Sequence, residues 1–285
     1  MIFFEMALIV IITAGFSVAV LFSKVSLNYM KPERFIMLYI MGASIVIFTE
    51  FSIFHLIGEA PITTSANIWL ILIAALFGAL AYFFASVGLK NTHAGISSTI
   101  FNLQGPMIAL IGALFYMVYP GNLVLAGLAI AVLGLFMMGS NGNSRSDLKL
   151  NISFILLSLS PIFWALEWVI FSLVSSSAPL FLTFILYFSI FLVLVVMNAV
   201  SRQPLISSPR IRAYALTGGL FSGIANGAYG IFITDYGTTL TGLITLLSVP
   251  VSLVLVVLIL KERYVKLEML GIVLVCAGLL VSTIL

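Results

Sequence analysis

A carboxylate between two indole rings is the feature of this sequence with the clearest capacity for chemistry. Glu167 lies in an otherwise apolar stretch, with Trp164 and Trp168 at helical spacing around it. At about 100° per residue, these three side chains share one face of a helix. An acid within an apolar span usually faces a cavity, and aromatic faces beside it attract an organic cation. The pattern predicts a site for a cation or a proton. The alternative is a protonated or hydrogen-bonded Glu167 that joins helices, with the indoles filling volume.

Other polar side chains in apolar stretches extend the candidate site. Glu50 is a second candidate for proton coupling, because a carboxyl buried without a charge partner holds its proton tightly; a structural role is equally open. Hydroxyl and amide groups within spans either bond neighbouring helices or line an aqueous path. On the second interpretation, the further solute-binding candidates are Tyr82, Asn102, Gln104, Asn226, Tyr229 and Ser248.

The elements that position these residues are membrane helices. The chain has 285 residues, of which 62% are hydrophobic and 7% are charged, whereas ordinary soluble domains are about 25% charged. The mean hydropathy is +1.28. A span needs about 20 apolar residues. The sequence predicts an all-α membrane protein with ten transmembrane helices, at residues 4–23, 35–57, 68–89, 94–118, 123–140, 152–175, 179–200, 214–234, 239–260 and 267–285.

The chain also repeats itself. With an offset of 144, residues 76–139 align with 220–283 without a gap, and Pro106, Gly127 and Gly134 meet Pro250, Gly271 and Gly278. Each copy holds five spans, and an odd number means that the second copy enters the membrane inverted. We expect two inverted five-helix repeats, at residues 1–140 and 152–285, joined by a linker at 141–151 that is rich in Asn, Ser and Gly.

Basic residues predict the orientation. All 12 Lys and Arg residues fall in the loops that follow odd-numbered spans. By the positive-inside rule these loops are cytoplasmic, and both termini lie outside the cytoplasmic membrane. The net charge of +3 therefore belongs to membrane topology and indicates no nucleic-acid partner.

Several motifs are absent from the sequence. It has no phosphate-binding Gly-x-x-x-x-Gly-Lys-Ser/Thr loop, so ATP is not expected to drive it directly, and it has no His-Glu-x-x-His zinc motif. Its single cysteine, Cys276, excludes an internal disulfide and a multi-cysteine metal site. We expect no cofactor, no metal and no enzymatic activity.

The second copy carries Pro250, the charged loop Lys261-Glu262-Arg263, and the glycines Gly271 and Gly278, and with these features the chain resembles the ten-helix, EamA-type branch of the drug/metabolite transporter superfamily. In the first copy, Met117-Val118-Tyr119 replaces the charged loop. The resemblance implies a solute carrier whose central cavity is lined by helices from both halves. It also implies cytoplasmic termini, whereas the basic residues place them outside.

Two related branches concern Glu167. Ala165-Leu166-Glu167 is similar to the helix of small multidrug resistance proteins in which a carboxylate exchanges protons and cations. Trp164-Ala165-Leu166-Glu167 resembles the Trp-small-x-Glu pattern of choline-permease relatives. The equivalent position in the first repeat is near Ser17, where no acid occurs.

The sequence therefore predicts a secondary transporter that moves a small organic solute by alternating access. A cationic or zwitterionic solute is favoured because no basic residue lies inside a span. The predicted solute carrier is of the drug/metabolite exporter type, with protons as a candidate coupling ion; the sequence leaves the direction of transport open. We expect the lipid bilayer as the environment, and a monomer or a homodimer. The alternatives are an uptake facilitator for choline-like quaternary amines or amino acids, and a receptor or enzyme that transports nothing.

Overall fold

The computed structural model describes residues 2–62, 67–115, 121–139, 152–174, 178–201 and 208–283, and no strand occurs in these ranges. The helices are α1 (Ile2–Leu27), α2 (Pro32–Leu56), α3 (Ile68–Asn91), α4 (Ala94–Phe101), α5 (Gln104–Phe115), α6 (Asn122–Gly139), α7 (Ile152–Ser172), α8 (Pro179–Ser201), α9 (Pro209–Leu255) with a π-helical turn at Val256–Leu260, and α10 (Lys266–Thr283). The prediction of an all-α protein is confirmed. The predicted linker at 141–151 lies outside the described residues.

The lengths and apolar composition of the helices suit a membrane. Six helical segments of the described residues are long and apolar enough to cross one: Met6–Leu27, Pro32–Leu56, Ile68–Asn91, Ala94–Phe115, Ile152–Ser172 and Pro179–Ala199. Shorter apolar helices lie at Asn122–Met138 and Leu247–Leu260.

The fourth predicted span is broken in the middle. Residues 94–115 form α4 and α5, which are separated at Asn102 and Leu103. Pro106 explains the break, because it has no N–H to donate to the carbonyl of Asn102, four residues earlier, and its ring would collide with that carbonyl. The Asn102 side chain donates to the carbonyl of Ser98 at 2.7 Å, so the end of α4 is held by a polar group inside the span.

The eighth and ninth predicted spans are joined in α9, which turns back on itself. A straight helix of 47 residues would be about 70 Å long. Yet Ala225 packs against Gly15, where an added Cβ would lie 2.9 Å from the Ala225 Cβ, and the Ser248 carbonyl accepts from Ser17 at 3.2 Å. Ala225 and Ser248 would be roughly 35 Å apart on a straight helix, whereas Gly15 and Ser17 are neighbours on α1. We call residues 209–232 the first arm and residues 245–255 the second arm.

Helix pairs repeat across the fold. The α1 helix packs on the first arm of α9, as α7 packs on α3; α2 packs on α9, as α8 packs on α3; α2 meets α8, and α6 meets α10. In the last pair, Gly127 contacts the carbonyl of Gly278, and a Cβ at Gly134 would lie 2.6 Å from the carbonyl of Gly271. Rising numbers in α6 meet falling numbers in α10, so these two helices are antiparallel.

Candidate functional site

A cavity lies between α1, α2, α3, the α4–α5 break, α7 and both arms of α9. The space that the centres of water molecules can occupy in it is about 100 Å³, and one water needs roughly 10–15 Å³ on that measure. The cavity can therefore hold a small organic solute.

The cavity wall is aromatic and polar but uncharged. Its aromatic residues are Phe16, Phe35, Tyr39, Tyr82, Phe101, Trp164 and Trp168. Its polar residues are Ser23, Ser86, Ser98, Asn102, Gln104, Ser222, Asn226, Thr245 and Ser248. None of the described residues that line the cavity is an acid or a base. Such a wall can stack on a solute and hydrogen-bond to it without supplying a fixed charge.

The structure brings together most of the predicted solute-binding residues. Those that line the cavity are Tyr82, Asn102, Gln104, Trp164, Trp168, Asn226 and Ser248. Glu167, Tyr229 and Glu50 do not line it. The predicted cluster therefore divides into a wall that faces the cavity and three residues outside that wall.

Two aromatic contacts fix the orientation of Trp164. The edge of the Tyr82 ring packs at 5.4 Å between ring centroids, and Phe101 packs at 5.2 Å, both nearly perpendicular to the indole. Edge-to-face pairs of this kind contribute about 0.5–1.5 kcal/mol each. The indole of Trp164 is thus held in place before any solute arrives.

The polar side of the cavity joins the two copies of the repeat. The Ser248 hydroxyl lies 3.1 Å from the amide oxygen of Asn102 and 2.5 Å from the carbonyl oxygen of Thr245, and it can donate its single proton to either. The break between α4 and α5 therefore contacts the second arm of α9. On the first arm, the Asn226 amide donates to the Ser222 hydroxyl at 3.0 Å and to the Ser222 carbonyl at 2.8 Å. These groups are buried and can exchange their internal bonds for bonds to a solute.

Glu167 lies behind the wall, in the seam between α7, α3 and α8. Its side chain is 0% exposed, and neither carboxylate oxygen has a hydrogen-bond partner among the described residues. The seam accommodates it because α3 has Gly78 at this point, where an added Cβ would lie 2.8 Å from the Glu167 carboxyl carbon and from Ile190. An ionised carboxylate without partners is expensive to bury, so this site suits a carboxyl that carries a proton.

Tyrosines connect Glu167 to the cavity. Tyr82, Tyr187 and Tyr229 are close enough to interact electrostatically with its carboxyl group. Tyr82 is also a cavity residue, and its hydroxyl shares a buried 2.7 Å hydrogen bond with the hydroxyl of Tyr187. Tyr82 therefore belongs both to the cavity wall and to the surroundings of the acid.

Tyr229 supports the wall from behind. Its ring centroid is 4.7 Å from that of Trp168 and 6.3 Å from that of Phe16. Its hydroxyl lies near the Gln104 side chain without meeting hydrogen-bond geometry. Tyr229 thus packs against two cavity residues without lining the cavity itself.

Glu50 is separate from the cavity. It contacts Gly227 on the first arm of α9, and its Oε2 is buried without a hydrogen-bond partner among the described residues. The structure therefore places the two embedded acids at different helix contacts.

The cavity residues outside the predicted set include Phe16, Phe35, Tyr39 and Ser222. Ser222 had a usable signal, because it precedes Asn226 by one helical turn and so shares its face. The three aromatic residues had none, since an aromatic side chain in an apolar span can face lipid, core or cavity alike.

The chain is similar to known proteins over most of its length. The family model described as the EamA-like transporter family matches residues 3–140 and 151–284. Among solved structures, one crystal structure matches 95% of this chain and 96% of its own chain, with a TM-score of 0.65 and 14% identity, which shows a shared fold. No curated protein matches the sequence.

Proposed function

Since the chain belongs to the EamA-like transporter family, we propose that it is a secondary transporter that carries a small organic cation or zwitterion through the aromatic cavity. The observation that carries this proposal is the uncharged wall built around Trp164, Trp168 and Tyr82. Ring faces bind organic cations, with about 0.5–2 kcal/mol per contact when water is excluded. The described lining of the cavity has no Lys or Arg to neutralise an anion.

Alternating access between two inverted five-helix halves, residues 1–140 and 152–285, is the mechanism that we propose. The antiparallel pairing of α6 and α10 supports it, because corresponding helices run antiparallel when a two-fold axis in the membrane plane relates the repeats. With α4–α5 as one crossing and α9 as two, the helices fit ten crossings. The cavity lies where the halves meet, with Asn102 from one and Ser248 from the other.

Proton coupling is assigned in this proposal to Glu167, acting from behind the wall. A carboxyl that changes its charge there alters the field across Tyr82 and Trp168 without touching the solute. Export then follows if a proton enters as the solute leaves. Glu50 is the second candidate, at a different helix contact.

A second function is an uptake facilitator for choline-like quaternary amines, in which no proton is exchanged. The feature that favours it is the density of aromatic rings around the cavity, since aromatic cages recognise quaternary ammonium groups. Uptake driven only by the solute gradient would distinguish it from proton-coupled export.

A thermal-shift screen of the purified protein against quaternary amines, amino acids and organic anions tests the proposal. A ligand that binds the folded protein raises its melting temperature, and we expect the largest shifts from cations. Trp164→Ala should abolish the shift, whereas Trp69→Ala, which alters a 72% exposed indole at the start of α3, should retain it. Stabilisation by anions alone, or an unchanged shift in Trp164→Ala, contradicts the proposed site.

A further inference from the structure

A carboxylate from the second half of the chain caps a helix of the first half. Glu262 follows the π-helical turn, and its two oxygens accept from the backbone N–H of Ala94 at 2.9 Å each. Its Oε2 also accepts from the Tyr264 hydroxyl at 2.9 Å and from the N–H of Gly95 at 3.5 Å. The first N–H groups of a helix have no partners within it and attract negative charge. Glu262 therefore holds the start of α4.

Lys24 of α1 holds the other side of the same turn. Its ammonium donates to the carbonyl of Leu89 at 2.8 Å and to that of Thr92 at 2.6 Å, at the end of α3. Lys24 and Glu262 also attract each other electrostatically. The turn between α3 and α4 is thus bound on one side by Lys24 of α1 and on the other by Glu262, which precedes α10.

This cluster lies beside the cavity. Ser23, which precedes Lys24 in α1, lines the cavity. Leu89 also lines it, and its carbonyl accepts the hydrogen bond from Lys24. Tyr264 packs against Gly95 in the first turn of α4 and leaves no room for a side chain there. We call the end of the molecule with Lys24, Lys90 and Glu262 the basic face.

The two halves differ at this point. The offset of 144 places Val118 of the first half where the second half has Glu262. The corresponding position in the first half, outside the described residues, therefore has no carboxylate to cap a helix.

We propose that Glu262 is a gating residue of the transport cycle, whose carboxylate latches α4 and must release it before the cavity opens at the basic face. The inference rests on the proposed alternating access through this cavity. Because Val118 replaces the acid in the other half, the latch acts at the basic face and has no charged counterpart at the opposite one.

Cysteine accessibility tests the latch without any solute. The reporter is Ser86→Cys on the cavity wall, with Cys276→Ser removing the native thiol, in the full chain reconstituted in vesicles and treated with a membrane-impermeant maleimide. Tyr29→Cys, at a 69% exposed position in the turn after α1, identifies the vesicles that present the basic face. We expect Glu262→Gln to raise the labelling rate of the reporter from this face by roughly 2- to 5-fold, because Gln keeps one acceptor but removes the negative charge that the N-terminus of a helix favours.

Glu268→Gln is the matched control. Glu268 also accepts from a backbone N–H, that of Val265 at 3.0 Å, but this bond stays within the second half. Glu268→Gln should therefore leave the labelling rate of the Ser86→Cys reporter unchanged.

Equal labelling rates in Glu262→Gln, Glu268→Gln and the parent would overturn the latch. If Glu262→Gln does not fold, Tyr264→Phe decides, since it removes only the hydroxyl that donates to Glu262 and should raise labelling about twofold or more; no increase overturns the proposal. A raised labelling rate without transport of any cation would sustain the latch and refute the proposed function.

Discussion

At the scale of single residues, coupling depends on whether a carboxyl outside the cavity can drive what happens within it. Glu167→Gln keeps the shape of the side chain and removes its titration, so we expect loss of flux driven by a pH gradient while solute exchange at equal pH persists. Flux in proteoliposomes measures both. The reason is the isolation of this carboxyl, since neither of its oxygens has a hydrogen-bond partner among the described residues.

Glu50→Gln is the comparison for Glu167→Gln, because it changes the other embedded acid at a contact away from the cavity. Gradient-driven flux should persist in Glu50→Gln. The reverse pattern would transfer the coupling role to Glu50, and normal gradient-driven flux in both variants would rule out coupling through either carboxyl.

Most of the residues that the sequence singled out line the cavity, whereas Glu167 does not. Helical spacing places Trp164, Glu167 and Trp168 on one face of α7. That face is wide enough to meet both the cavity and the helix contact beside it. The carboxyl group of Glu167 lies against α3 because Gly78, which has no side chain, leaves space for it there. The spacing of residues within α7 cannot predict this space, because it belongs to another helix.

At the scale of helices, matched glycines determine how the two copies meet. In the contact of α6 with α10, a Cβ at Gly134 would lie 2.6 Å from the carbonyl of Gly271 and 2.8 Å from Val275. We expect Gly134→Ala to destabilise the protein by about 1–3 kcal/mol, the range for overpacking a close contact. The melting temperature of the purified protein measures the change.

Gly112→Ala is the control for Gly134→Ala, because an added Cβ there would meet only Val169, at 4.0 Å. It should be neutral or slightly stabilising, since alanine favours a helix over glycine by roughly 0.5–1 kcal/mol. Equal melting temperatures in the two variants would contradict the close crossing of α6 and α10.

Prolines and apolar runs predicted the helices unevenly. Pro106 lies just after the break in the fourth span, although apolar length alone predicted a single helix there. The turn in α9 was expected as a gap between two spans, and the backbone there stays helical. Apolar length indicates which segments are long enough to cross the bilayer, but it does not show how the chain turns between them.

At the scale of the whole molecule, the repeat in the sequence agrees with the helix contacts in the structure. The offset of 144 paired Gly127 with Gly271 and Gly134 with Gly278. In the structure each glycine crosses the counterpart of the other, Gly127 with Gly278 and Gly134 with Gly271. An exchange of this kind is what a two-fold relation between halves requires, and a repeat detected in sequence cannot by itself show which copies touch.

The basic residues predict which face of this architecture meets the cytoplasm. By the predicted spans all 12 fall on one side of the membrane, and the structure places several of them, Lys24, Lys90 and Lys266 among them, at helix ends. Membrane insertion retains the basic side in the cytoplasm. In intact cells that produce the Cys276→Ser protein, an impermeant maleimide should label Leu56→Cys, which is 85% exposed at the far end of α2, and should not label Tyr29→Cys until the membrane is opened. The opposite pattern would place the termini in the cytoplasm, as the family resemblance implies, and would put the Glu262 latch at the outer mouth of the cavity.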